Sequence, residues 1–118
     1  MILVVDDNPD LADLMVRLLE SQGFPAIAVT SGAEALAIVK TITPSAVLLD
    51  LMMPDMDGVE VLAHMRLMPN VADVPVVIHT AGVTPELEKA AIELGVKAII
   101  TKGNIDRTLI EIRKVMTT

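Results

Sequence analysis

The chain has no cysteine, no tryptophan and no tyrosine, and Phe24 is its only aromatic residue. Without cysteine, disulfides and thiolate chemistry are excluded. With only His64 and His79 as imidazoles, a zinc site is disfavoured as well. The lack of aromatics means that aliphatic side chains and eight methionines must fill the core. Methionine packs adaptably, so Met15, Met65, Met68 and Met116 are read as core or edge residues. Basic clusters are also missing. Nine Lys and Arg lie scattered against sixteen Asp and Glu, for a net charge of −7. That balance argues against direct binding of nucleic acid. No apolar run approaches the length of a membrane span. The start, Met1 to Asp7, lacks the basic segment of a signal peptide. A cytoplasmic location with no membrane partner is therefore expected.

What is present is an alternation. Apolar strand-like runs alternate with helical patterns five times over 118 residues, which predicts one α/β domain, 1–118, around a parallel sheet. Pro9 suits the first turn of helix 1. Leu11, Leu14, Met15, Leu18 and Leu19 mark its buried face, and Gly23 its end. A strand is expected over 26–29. Ser31-Gly32-Ala33-Glu34 has the form of a capping box opening a second helix to about Thr41. A third strand follows over 46–49, then a helix from Asp57 to about Met68. Pro69 and Pro75 bracket the link to strand 4. Thr84-Pro85 starts a fourth helix with a narrow face of Leu87, Ala90, Ala91 and Leu94. Strand 5 covers 98–101, and the last helix carries Ile105, Leu109, Ile112 and Met116 along one side. Right-handed crossovers leave few strand orders, of which 2-1-3-4-5 is expected.

Four of these strands end on residues suited to metal or phosphate. Ile2 to Val5 runs into Asp6-Asp7, and Ala46 to Leu49 into Asp50. Val76 to His79 runs into Thr80, and Ala98 to Thr101 into Lys102. In an open parallel sheet the carboxyl ends of the strands share one edge, where ligands bind. Three carboxylates, a hydroxyl and an ammonium would meet there, a set suited to a divalent cation and a phosphoryl group. Held together without a cation, three carboxylates repel one another. Helix capping is the competing explanation for single acids: Asn8 or Asp7 at helix 1, and Asp55 and Asp57 around the start of helix 3. His79 adjoins Thr80, but strand alternation turns it away, so it is read as a packed or partly exposed residue. His64 is read as surface.

Leu3-Val4-Val5-Asp6-Asp7-Asn8, the run Leu48 to Gly58 (Leu-Leu-Asp-Leu-Met-Met-Pro-Asp-Met-Asp-Gly), Thr80-Ala81 and Lys102, taken in register, resemble the receiver domain of two-component response regulators. The resemblance covers Ile2 to about Val115. It implies a flavodoxin-like three-layer (βα)5 sandwich that accepts a phosphoryl group on Asp50. It further implies Mg²⁺ as cofactor, held by Asp6, Asp7, Asp50 and the Met52 carbonyl. Lys102 would pair with the phosphoryl oxygens, and the Thr80 hydroxyl and Ala81 N–H would bond them once attached. The implied partners are a sensor histidine kinase or phosphotransfer protein, and a downstream output protein or fused domain, with a weak dimer as a further association.

Three positions depart from the pattern. Ile99 stands where Tyr or Phe is common, Gly103 where a cis-proline usually follows the lysine, and Asn104 where Phe is common. A cis bond to a non-proline residue costs about 2.5–4 kcal/mol, so a trans Lys102–Gly103 bond is expected. These departures motivate a second reading, a receiver-like interaction scaffold that needs no phosphate. A third reading, an aspartyl phosphatase or phosphotransferase, would want an acid two residues after the nucleophile. Met52 occupies that position, so a signalling domain rather than an enzyme is expected. A cofactor binder of the same architecture would want a glycine-rich phosphate loop, and none is seen.

Overall fold

In the computed structural model, which describes residues 1–117, five strands and five helices alternate: β1 Ile2–Val5, α1 Pro9–Ser21, β2 Ala26–Val29, α2 Gly32–Val39, β3 Ala46–Leu49, α3 Gly58–Arg66, β4 Val76–Thr80, α4 Pro85–Glu93, β5 Ala98–Thr101 and α5 Ile105–Met116. The strands form one parallel sheet in the order β2-β1-β3-β4-β5, as expected. Each parallel pair needs a crossover, and a helix supplies each one.

Strand alternation divides the core into two layers. Leu3, Val5, Val47, Leu49, Val76 and Ile78 face one side, where they pack with Ala35 and Val39 of α2 and Val61, Leu62 and Met65 of α3. Ile2, Val4, Ala46, Leu48, Val77 and Ile100 face the other, against Ala12, Met15 and Leu19 of α1 and Ile112 of α5. The interior strands are apolar on both faces because helices cover both. Met15 and Met65 are fully buried, and Met68 and Met116 pack at the edges of the two layers.

The helix starts follow their capping side chains. Asn8 accepts from the N–H groups of Asp10 and Leu11, Ser31 from Glu34, Asp57 from Glu60 and Thr84 from Leu87. Between Asn8 and Asp7 it is thus Asn8 that caps α1. The ends differ slightly from expectation. α2 stops at Val39 and α3 at Arg66, because the following residues tighten into i→i+3 bonds, such as Leu67 N–H to the His64 carbonyl. Leu14, expected on the buried face of α1, is 42% exposed. The face is centred on Ala12, Met15 and Leu19, and Leu14 falls on its rim.

Two side-chain devices hold the connections. The Arg66 guanidinium donates to the carbonyls of Leu94 (2.8 Å), Val74 (2.8 Å) and Ala72 (3.2 Å), tying α3 to the end of α4 and to the approach to β4. Gly58 lets the start of α3 lie on the strand-end backbone. A Cβ there would sit 2.3 Å from the Asp50 carbonyl oxygen and 2.8 Å from Leu51 Cα. Helix propensity alone would favour Gly58→Ala by about 1 kcal/mol. The backbone clash should reverse that sign and lower the unfolding free energy by roughly 1–3 kcal/mol or more in urea titrations. Gly82→Ala, where a Cβ meets nothing within 4 Å, should change little.

Candidate functional site

The register that builds the sheet also builds the site. Val5 pairs with Leu49, and Leu49 with Ile78. One residue further on, Asp6, Asp50 and His79 stand side by side at the C-terminal edge. The ladder continues past the strands: the Asp50 N–H donates to the Val5 carbonyl at 2.9 Å, and the Lys102 N–H to Thr80 at 2.8 Å. Asp6 and Asp50 are 3% and 2% exposed. Carboxylates so deeply buried must be paired. The Lys102 ammonium donates to Asp50 Oδ2 at 2.9 Å and to Asp6 Oδ1 at 3.2 Å, and makes an ion-pair contact with Asp6 Oδ2 at 3.1 Å. Backbone groups supply the rest. Asn8 N–H donates to Asp6 Oδ1 at 2.9 Å, and Met52 N–H to Asp50 Oδ1 at 3.0 Å. Burial works against the lysine charge, but the hydrogen bonds and fields of Asp50 and Asp6 outweigh it and raise its pKa.

Asp7 is exposed, yet oxygen atoms of Asp6, Asp7 and Asp50 all lie within 4.8 Å of one another. Three carboxylates against one ammonium leave the cluster short of positive charge. Two like charges about 4 Å apart repel by roughly 4 kcal/mol at an effective dielectric of 20. An all-oxygen donor set of this charge, open on the Asp7 side, fits a hard divalent cation.

The Thr80 hydroxyl is buried and donates to the Gly82 carbonyl at 3.0 Å, while Ala81 is exposed in the loop after β4. The Met52 side chain is half exposed, and its N–H is what anchors the loop after Asp50. Asp57 caps α3 through the Glu60 N–H at 2.9 Å, and Asp55 reaches the Ala33 N–H at the start of α2. Burial opposes the Asp55 charge, but the backbone N–H groups of Ala33, Met56 and Gly32 prevail and hold its carboxyl below the ordinary value. Both acids therefore serve helix starts. His64 lies exposed on α3. The Lys102–Gly103 bond is trans, and Gly103 turns the chain at φ +99°, a region that favours glycine. Asn104 caps α5 through the Arg107 N–H at 3.3 Å. Ile99 lies against the α2–α4 layer and lines a groove of about 380 Å³ with Val83, Ile92 and Val96.

His79 is the residue whose place a reading along β4 undervalued. It is turned away from Thr80, as alternation requires, and packed at 2% exposure. That same turn sets it on the face that carries Asp6 and Asp50. The signal was available in the cross-strand register rather than within its own strand. Burial pushes the imidazole pKa down, and Lys102 adds to that, while Asp6 and Asp50 pull it up. The balance favours the neutral ring.

Lys102→Met should test the cluster. In metal-free buffer it leaves two buried carboxylates without their countercharge and should cost roughly 3 kcal/mol of unfolding free energy. Millimolar Mg²⁺ should recover part of that loss. An unchanged midpoint in urea would show that the lysine is not what balances the pair.

Comparison with known proteins agrees with this geometry. The pattern of the response regulator receiver domain matches residues 2–114. The sensory transduction protein RegX3 of Mycobacterium tuberculosis is 39% identical over 110 residues, which are 92% of this chain and 47% of RegX3. The chain thus spans about half or less of the length of such curated regulators. Among solved structures, a sensor protein from Polaromonas sp. JS666 superposes with a TM-score of 0.89 at 30% identity, covering 98% of this chain and 94% of that one. The Mn(2+)-bound form of response regulator Rcp1 superposes with a TM-score of 0.85 at 27% identity, covering 99% and 95%. With the strand order, the acidic strand ends and the family pattern in agreement over nearly its whole length, the chain belongs to the receiver domains of two-component response regulators.

Proposed function

We propose that this receiver domain accepts a phosphoryl group on Asp50 from a sensor histidine kinase or phosphotransfer protein, and thereby changes its affinity for an output partner. One observation carries the reading. Asp50 is buried at a strand end, has both carboxylate oxygens hydrogen-bonded, and faces two further carboxylates and a single ammonium. Such an arrangement is costly for a purely structural acid. It suits one whose partners are to be exchanged.

In the transfer, a carboxylate oxygen of Asp50 forms a bond to phosphorus. The bond from phosphorus to the donor imidazole nitrogen breaks, and that nitrogen keeps the electron pair. Positioning contributes most, because a carboxylate is a modest nucleophile. Oδ1 is held by the Met52 N–H and Oδ2 by Lys102, so each oxygen is oriented by one donor and keeps a lone pair for the attack. The Lys102 ammonium can then follow the negative charge to the phosphoryl oxygens. The Thr80 hydroxyl exchanges the Gly82 carbonyl for the same group, joined by the Ala81 N–H. Asp6, Asp7, Asp50 and the Met52 carbonyl would hold Mg²⁺, which offsets charge between carboxylate and phosphoryl oxygens.

The read-out differs from the commoner form of the family. Ile99 has no ring to swing inward when Thr80 moves. The face of α4, β5 and α5 therefore reports through aliphatic packing, whether its partner is a separate output protein, a fused domain or a second copy. We place the domain in the cytoplasm, where such kinases deliver phosphate. No helix among the described residues is long and apolar enough to cross a membrane.

Intact mass after incubation with acetyl phosphate checks the assignment. One phosphoryl group should add to the wild type with Mg²⁺, none with EDTA, and none to a folded Asp50→Asn variant. Undiminished labelling of Asp50→Asn would sink the nucleophile assignment. A folded wild type that takes no phosphate, from acetyl phosphate or from its kinase, would favour the phosphate-independent scaffold.

A further inference from the structure

We propose that His79 is a positioning residue of this site. It is a hydrogen-bond partner held in reserve for the Asp6–Asp50 pair, engaged when Lys102 turns to the phosphoryl group. The inference rests on the reading of Asp50 as phosphoacceptor and adds a residue to it.

Geometry comes first. Leu49 of β3 pairs with Ile78 of β4, so the next step sets Asp50 beside His79. Neighbouring strands lie about 4.8 Å apart, and residues two apart along a strand share a face. Val4, Leu48 and Val77 belong to the layer against α1 and α5. Asp6, Asp50 and His79, each two residues further along, continue that face as a polar row. Beneath the row lies a narrow, closely packed crevice walled by Val4, Val5, Met15, Leu48 and Leu49 together with those three residues. Its shape leaves no room for a water molecule.

Satisfaction of polar atoms comes next. His79 Nε2 is buried and has no hydrogen-bond partner among the described residues. A buried polar atom without a partner destabilises the state that holds it, and most such atoms are paired. Around the crevice, every other wall residue except Asp6 and Asp50 is aliphatic or a methionine. Those two carboxylates are at present served by Lys102. If the ammonium moves to the phosphoryl group, a carboxylate oxygen loses its donor. A neutral imidazole protonated at Nε2 is the other donor that lines the same crevice. The pairing that the resting state lacks is then formed in the phosphorylated state. By linkage, an interaction made in one state alone shifts the equilibrium toward that state.

A residue that merely packs would stabilise both states alike, so the test compares them. The probe is beryllofluoride with Mg²⁺, a mimic of the phosphoryl group, applied to the whole chain. His79→Leu removes the orphaned atom and should raise the melting temperature of the ligand-free protein. It should leave affinity for Mg²⁺ alone unchanged and weaken beryllofluoride binding by roughly tenfold. His79→Gln keeps an N–H donor and should recover most of that affinity. In the wild type, the imidazole ¹⁵N resonances of His79 should move when beryllofluoride is added. If both variants bind beryllofluoride as the wild type does, or if the imidazole resonances stay in place, His79 is a packing residue and the proposal is overturned. The resonance measurement decides even if His79→Leu fails to fold. A wild type that neither binds beryllofluoride nor takes phosphate on Asp50 would overturn the receiver reading, and this proposal with it. Normal wild-type binding with indifferent His79 variants would overturn this proposal alone.

Discussion

One ammonium balancing two buried carboxylates is the contact on which the site depends. Lys102 reaches from the end of β5 across β4 to Asp50 and Asp6, bringing together residues 52 and 96 positions apart. Burying two carboxylates at 2–3% exposure is costly without such a partner. The partner is still insufficient, since Asp7 adds a third carboxylate within reach. The cluster is therefore folded but electrostatically incomplete. That incompleteness fits a hard divalent cation, and under the proposed function it would let Lys102 be drawn to a new anion. A fully neutralised cluster would be more stable and less able to switch.

The sheet acts as a ruler for this cluster. Parallel pairing puts the ends of β1, β3, β4 and β5 at one edge, and the ladder bonds of Asp6, Asp50 and Lys102 carry the alignment past the last strand residues. Gly58 then allows α3 to begin directly over the Asp50 backbone, and Asp57 and Asp55 secure the starts of α3 and α2. The loop that follows the reactive position is thus pinned at several points. On the opposite side, after β4, the Thr80 side chain is held by a neutral hydrogen bond to the Gly82 carbonyl.

The three departures from the family pattern have separate local consequences. Gly103 replaces a proline turn with a left-handed glycine, which still delivers Lys102 to the carboxylates. Asn104 uses its place to cap α5. Ile99 fills less space than a ring and leaves an open groove against Val83, Ile92 and Val96. The acidic strand ends and Lys102 thus stay in contact, and the changes fall outside that cluster.

Much of this was legible in the residues themselves. Apolar runs of four, capping side chains and helical spacing set the elements, because those signals are local and repeat with fixed periods. The acids and the lysine were legible as a site once each was seen to end a strand. Helix ends shifted by a turn or less, and Leu14 left the core, because the width of a buried stripe depends on the neighbour that covers it. His79 could not be placed by its own strand, since alternation says only which face a side chain takes. Which residues share that face, and whether a buried nitrogen finds a partner there, is decided across strands. The sequence by itself determined the elements and the chemical groups at their ends, since both follow from local pattern. Tertiary structure alone decided that Lys102 answers Asp6 and Asp50 while His79 Nε2 finds no hydrogen-bond partner among the described residues, because pairing between distant residues depends on register and distance.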